Sequence, residues 1–275
     1  MLASALITFR EGLEAALIIG IVLGYLRKMG QMGQQRSVWW GVIAAVAVSL
    51  AAALGLQAVG ARLEGQGEEL FEGVTMLLAA GVLTWMIFWM QAQGRRIRGQ
   101  LEADVQRAVA GGVGWGLFGL AFLAVVREGI ETVLFLSAAV FASSPEQTLL
   151  GGVLGLTVAV AVGWLIFAAS LRLNVSGFFR VTGLLLLFVS AGLVAGGVHE
   201  LQEAGVVPII IEHVWDINPI LDEKSTLGSI LKSLLGYNGN PSLLEVASYA
   251  AYSAAVGLAS WHSTRRADRT APSRA

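Results

Sequence analysis

Apolar runs long enough to cross a bilayer dominate this chain. A spanning helix needs about 20 mostly apolar residues. Seven windows meet that length, at roughly residues 2–26, 38–60, 70–91, 112–142, 148–171, 179–198 and 243–261. The stretch 93–110 reads as a cytoplasmic amphipathic helix, and 263–275 as a disordered basic cytoplasmic tail. Residues 199–242 are too long and too apolar for a plain linker. Within them "VVPIIIEHVWDINPIL" and "STLGSILKSLLGY" predict short helices lying on the membrane or dipping into it. The expected architecture is all-α and polytopic, with seven transmembrane helices. The segments are a three-helix unit at 1–91, a connector at 92–110, a second three-helix unit at 111–198, a loop at 199–242, a last span at 243–262 and the tail at 263–275.

Composition agrees with a membrane class. The chain of 275 residues is 56% hydrophobic and 13% charged, against about 25% charged in soluble domains. A net charge of −1 leaves no basic field for nucleic acid. There is no cysteine, which removes disulfides, thiolate metal sites and cysteine nucleophiles. The first apolar run is interrupted by Arg10, Glu11 and Glu14 and lacks a small-residue cleavage site, so it is expected to be retained rather than removed as a signal peptide.

Basic residues orient the spans. Arg27, Lys28 and Arg36 follow the first, Arg95, Arg96, Arg98 and Arg107 the third, Arg172 and Arg180 the fifth, and Arg265, Arg266, Arg269 and Arg274 the last. The alternate connections are poor in basic residues. This predicts an N-terminus outside and a C-terminus in the cytoplasm, with Trp39, Trp40, Trp89, Trp115 and Trp261 near the inner interface.

Two spans carry charges where lipid favours none. "FREGLEAALI" occupies 9–18 and "VREGIETVLF" occupies 126–135. Both sit near mid-depth but on helices running in opposite directions, so the two three-helix units are expected to be inverted repeats, as in many secondary transporters. Residues i and i+3 or i+4 share a helix face. Arg10, Glu11 and Glu14 therefore fall on one side, as do Arg127, Glu128 and Glu131. Gly12 and Gly129 permit close helix approach. Facing helices would gather four carboxylates and two guanidiniums, leaving about two negative charges uncompensated.

Packing glue explains this poorly. Each central ionised residue costs about 2.5–3.5 kcal/mol on insertion scales, or about 8–10 kcal/mol per triplet. The roughly twelve Leu, Ile, Val and Phe of the first span offset only about 6 kcal/mol. A proton relay and a cation site both remain open. Hard carboxylate oxygens, with no Cys, Met or His in either motif, suit a hard cation.

The paired R-E-G-[LI]-E motifs resemble the oxidase-dependent high-affinity iron permease family, bacterial branch. "ELFEGVTMLLAAGVLTWMIFWM" at 69–90, "LRLN" at 171–174 and "HELQEAGV" at 199–206 extend the resemblance over nearly the whole chain. It implies iron import across the cytoplasmic membrane of a bacterium, with Glu11, Glu14, Glu128 and Glu131 as metal ligands. The motif geometry puts Arg10, Arg127, Gly12 and Gly129 in support of them, and the resemblance also implies iron as substrate rather than cofactor and an extracytoplasmic oxidase or periplasmic iron-handling protein nearby. Lipid is the other partner.

A second acidic set is expected at the outer face. Glu68, Glu69 and Glu72 begin the third span, and His199, Glu200 and Glu203 end the sixth. They suit a cation-concentrating vestibule, although Glu68 and Glu69 also suit an ordinary helix N-terminus. His213 and Asp216 read as interfacial polar residues or as part of a metal path. Competing functions are import of lead or manganese, cation–proton exchange, and a carboxylate-bridged di-iron enzyme. The enzyme would usually show E-x-x-H on its helices, and all three histidines lie beyond residue 198.

Overall fold

The computed structural model describes residues 1–93, 97–110, 115–142, 144–169, 175–223 and 225–269. Among them are nine α-helices and no strand: α1 Leu2–Lys28, α2 Gln35–Gly60, α3 Gln66–Gln93, α4 Ile97–Ala110, α5 Trp115–Ala142, α6 Pro145–Ala169, α7 Val175–Glu203, α8 Thr226–Leu235 and α9 Leu243–Arg269. Arg95, Arg96, Arg172, Arg274, Ser143 and "LRLN" at 171–174 lie outside the described residues. Helix α9 continues to Arg269, so the basic segment expected to be a disordered tail from 263 is helical over its first turns.

Among the described residues, five helices are long and apolar enough to cross a membrane, over Met32–Gly60, Gln66–Trp89, Pro145–Ile166, Val181–Glu203 and Leu243–Ser260. The chain is a multi-pass helical membrane protein. Helices α1 and α5, at 27 and 28 residues, have the length but each carries a charged motif.

The helices divide into two compact units, residues 1–63 with 95–175, and 64–94 with 176–275. In the first unit, α6 offers a stripe of small residues to α1. A Cβ on Gly155 would overlap the Ala5 carbonyl, one on Gly163 would lie 2.7 Å from the Ala16 Cβ, and one on Gly12 would lie 2.9 Å from the Ala159 Cβ. Residue numbers rise together, so α1 and α6 run parallel. Helix α2 presents Gly41, Ala45 and Ser49 at the same spacing of four, all buried. Gly41 meets Ala121, and Ser49 meets Gly129, so α2 and α5 also run parallel. Small residues permit this approach where lipid gives no hydrophobic drive to associate.

Ile19, Val22 and Leu26 of α1 share a core with Leu117, Ala121 and Val125 of α5 and Val105 of α4. The late part of α1 thus meets the early part of α5, and these two run antiparallel. Helix α4 closes that end with Leu101, Val105, Ala108 and Val109 at spacings of three and four.

In the second unit, α3 and α7 are antiparallel. Gln66 Nε2 donates to the Ala204 carbonyl at 2.7 Å, and Ser190 Oγ to the Ala80 carbonyl at 3.1 Å. Between those contacts Gly73 faces Gly197, where a Cβ on either would lie 3.0 Å from the other's carbonyl oxygen. Tyr252 of α9 ties the bundle together. Its Oη donates to Ser190 Oγ at 2.7 Å and lies 2.6 Å from Thr84 Oγ1. Tyr252→Phe removes both links, and we expect it to lower stability by about 1–2 kcal/mol. Thermal unfolding in detergent, compared with a Tyr249→Phe control, measures this.

Candidate metal centre

Both charged motifs lie in the first unit, on α1 and α5. Arg10 is completely buried and works as a fork: Nη1 donates to Glu11 Oε1 at 2.5 Å, and Nη2 to Glu14 Oε1 at 2.6 Å. Arg127 is placed differently. Its Nε donates to Glu131 Oε1 at 2.9 Å and lies 3.8 Å from Glu128 Oε1, and the residue is 34% exposed. The i to i+4 spacing on each helix makes both Arg–Glu pairs nearly automatic.

Because α1 and α5 are antiparallel, the two carboxylate pairs meet. Oxygens of Glu11, Glu128 and Glu131 all lie within 4.8 Å of one another, and all three residues are buried. Each keeps one buried oxygen, Oε2, without a hydrogen-bond partner. Buried carboxylate oxygens normally find donors, so a buried group of three carboxylates with oxygens left over in this way could hold a cation. Glu14 stands outside that group of three. Its carboxylate is held by Arg10 and is close enough to Glu131 and Arg127 to feel their charges. Among the described residues this is the one such cluster with metal-ligand geometry.

The motif glycines sit on the backs of these helices. Gly12 faces Ala159 and Leu156 of α6, and Gly129 faces Ser49 of α2. They let the carrier helices press against their neighbours, which aims the carboxylates at each other. Reading the charged motifs alone misses Ser49, Gly155 and Gly163 on the facing helices. The every-fourth spacing of small residues on α2 and α6 is the signal that points to them.

The asymmetry of the arginines gives an expected result. Arg10→Lys should reduce transport by more than tenfold, because a single ammonium cannot hold both carboxylates in the fork's geometry. Arg127→Lys, which replaces a partly exposed side chain paired with Glu131 and Glu128, should reduce it only a few-fold. Initial uptake rates at matched membrane levels decide; equal losses would mean that both arginines supply charge alone.

The second acidic set lies in the second unit. Glu68 and Glu69 fall in the first turn of α3. Glu72 follows, half-buried and within charge range of Glu200, Glu68 and Glu69. Gly73 brings α3 to within contact of the Glu200 Cβ. His199 Nδ1 lies 3.1 Å from Glu245 Oε1, and Nε2 lies 3.5 Å from Glu203 Oε1. Glu245 is missing from the acidic set expected from the sequence, although Ser242 and Glu245 spell a capping box. The Ser242 N–H donates to Glu245 Oε1 at 3.1 Å, and the Glu245 N–H to Ser242 Oγ at 3.3 Å. Glu245 is thus a buried anchor that fixes the His199 ring. His213 and Asp216 are exposed and take no part in this cluster; His213 Nδ1 lies 3.2 Å from the Asn240 carbonyl oxygen, and Asp216 accepts from the Asn218 N–H.

Apolar helices of spanning length, with a charged cluster walled inside them, define a multi-pass membrane protein of the transporter class. Residues 1–264 match the Iron permease FTR1 family. The chain is 38% identical over 255 residues to the ferrous iron permease EfeU of Escherichia coli O157:H7, covering 92% of each protein. The Shigella sonnei EfeU matches to the same extent. The Yersinia pestis EfeU is 35% identical over 254 residues, covering 92% of this chain and 90% of that protein. No solved structure matches. The chain belongs to the FTR1 iron permease family. It is an iron permease, a transporter rather than an enzyme, and iron ions are its substrate.

Proposed function

We propose that this permease imports ferrous iron across the cytoplasmic membrane through a mid-membrane site made by Glu11, Glu128 and Glu131, with Glu14 beside it. One observation carries this reading: three buried carboxylates from two helices converge, each with an unpartnered oxygen. Four motif carboxylates against two guanidiniums leave a charge of −2, which a divalent cation would balance. The relatives' description as ferrous iron permeases favours Fe²⁺ over Fe³⁺.

In this reading α1 and α5 also span the membrane, making seven spans, with α1–α3 and α5–α7 as inverted repeats and the N-terminus outside. The packing supports a pseudo-two-fold axis: α1 lies along α6, and α5 along α2, which is the exchange such an axis would generate. Each motif glycine lies on one of those two interfaces. Rocking of such repeats would open one site alternately to either face. The Glu68, Glu69, Glu72, His199, Glu200 and Glu203 set would then draw cations from outside. The extracytoplasmic iron-handling partner stays part of this reading on the family resemblance.

The chain lacks cysteine, so single introduced thiols report topology cleanly. Ser144→Cys should react with an impermeant reagent added outside, and Ser37→Cys only after permeabilisation. Reaction of both from the same side would exclude antiparallel motifs. The activity itself is tested by radio-iron uptake into proteoliposomes at controlled redox state, with manganese and lead as competitors and with imposed proton gradients. Uptake that requires Fe³⁺, or that is displaced by an equimolar competing metal, would overturn the ferrous assignment.

A further inference from the structure

Helix α9 lies alongside α7 in a fixed antiparallel register. Ser242 Oγ donates to Gln202 Oε1 at 2.7 Å, Glu245 meets His199 at 3.1 Å, and Tyr252 meets Ser190 at 2.7 Å. The chain between these helices does not stay above that first contact. Gly236, just past α8, touches Gly192: a Cβ on Gly192 would lie 2.6 Å from the Gly236 Cα, and one on Gly236 would lie 3.4 Å from the Tyr249 ring. Gly192 is ten residues along α7 from Gln202, or roughly 15 Å at 1.5 Å per residue. That distance is half of a hydrocarbon core of about 30 Å.

The descent is built, not casual. Helix α8 starts at Ser225, whose Oγ accepts from the Gly228 N–H at 2.9 Å, and ends at Gly236, which takes a left-handed φ of 67°. The flanking segments of the loop are zipped: Val214 N–H donates to the Pro241 carbonyl at 3.0 Å, and Ile217 N–H to the Gly239 carbonyl at 2.8 Å. Tyr237 Oη donates to the Leu221 carbonyl at 2.7 Å, and the Gly239 N–H to Glu223 Oε1 at 2.6 Å. Lys232 Nζ pairs with Glu223 Oε2 at 3.0 Å. Beside this pair is an open pocket of about 460 Å³ lined by Asn218, Asp222, Glu223 and Asn240. On the outside of the same segment Ile220, Leu227 and Leu235 are exposed.

We propose that residues 217–240 form a re-entrant element of the second unit, reaching to the level of Gly192, and that its open polar pocket is filled with water and lies on the outer face. Non-helical backbone at membrane depth persists only where protein buries it or where it lines water. The zipped segments supply the first condition, and the four polar side chains supply the second. The exposed apolar residues form the flank that faces lipid. The side on which the pocket opens rests on the topology proposed above; the depth does not.

The full-length chain in liposomes tests both parts. A bimane on Leu235→Cys should be quenched best by lipid nitroxides placed deep on the acyl chain, and Gly192→Val should shift the optimum towards the headgroup. Asn240→Cys should react with an impermeant thiosulfonate added from outside. Quenching of Leu235 from the headgroup region or from water in the parent chain would overturn the re-entrant element. An Asn240→Cys thiol unreactive from both faces would overturn the pocket. Reaction only from the cytoplasmic face, with deep quenching at Leu235, would uphold the re-entrant element and overturn the topology instead.

Discussion

Glu11→Gln, Glu128→Gln and Glu131→Gln should each abolish iron uptake while the protein still reaches the membrane at normal levels. Each glutamine keeps the shape of the side chain and removes one carboxylate from the three that converge. Loss of even an outer partner of a metal ligand costs about 10–100-fold, so a direct ligand should cost about 100-fold or more. Insertion should not suffer, because an ionised residue at the bilayer centre is itself unfavourable by about 2.5–3.5 kcal/mol. Glu14→Gln should lose less, since Glu14 stands outside the group and its nearer role is to hold Arg10. Uptake by the variants at matched membrane abundance is the measurement. Near-normal rates in the Glu11 or Glu128 variant would remove these residues from the ligand set.

Gly129→Ala should be nearly as damaging, for a reason unrelated to ligation. The added methyl would overlap Ser49 Oγ and lie 2.8 Å from the Ser49 Cβ. Neither the hydroxyl nor its carbon has room to yield, because Ser49 is buried and its Oγ is bonded to the Ala45 carbonyl at 2.9 Å. Overpacking of this kind costs about 1–3 kcal/mol. It would also push α5 off α2 and move Glu128 and Glu131 away from Glu11. The compensating change is Ser49→Gly, which clears both overlapping atoms. The double variant should regain stability and uptake together, as coupled neighbours do in a mutant cycle. A double variant no better than Gly129→Ala would mean that this contact does not set the position of α5.

Much of this protein is legible in one dimension. Apolar length dictates the helices, because lipid forces every backbone group to bond within its own segment. The i to i+4 spacing puts each arginine on its own glutamate, because the helix repeat makes those side chains neighbours whatever surrounds them. The capping box at Ser242 and Glu245 is equally local, because both partners lie within a single helical turn.

Other features depend on which helices touch. A sequence read in order groups 1–91 against 111–198, whereas the compact units gather residues 1–63 with 95–175 and 64–94 with 176–275. Periodicity alone does not say that α1 lies along α6, because the stripe of Gly151, Gly155, Ala159 and Gly163 is a surface without an address. Nor does it separate Glu14 from Glu11, Glu128 and Glu131, or Arg10 from Arg127. The motifs are alike in sequence, yet one arginine is sealed and doubly bonded while the other is 34% exposed. The same holds for 217–240, whose apolar residues announce contact with lipid but not its depth. Depth comes from Gly236 meeting Gly192, two residues with no side chains to advertise the contact. Local geometry follows from the chain's own covalent repeat. Convergence of charges, and the distance a loop descends, follow from packing between segments far apart in sequence, where the partner supplies half of the information.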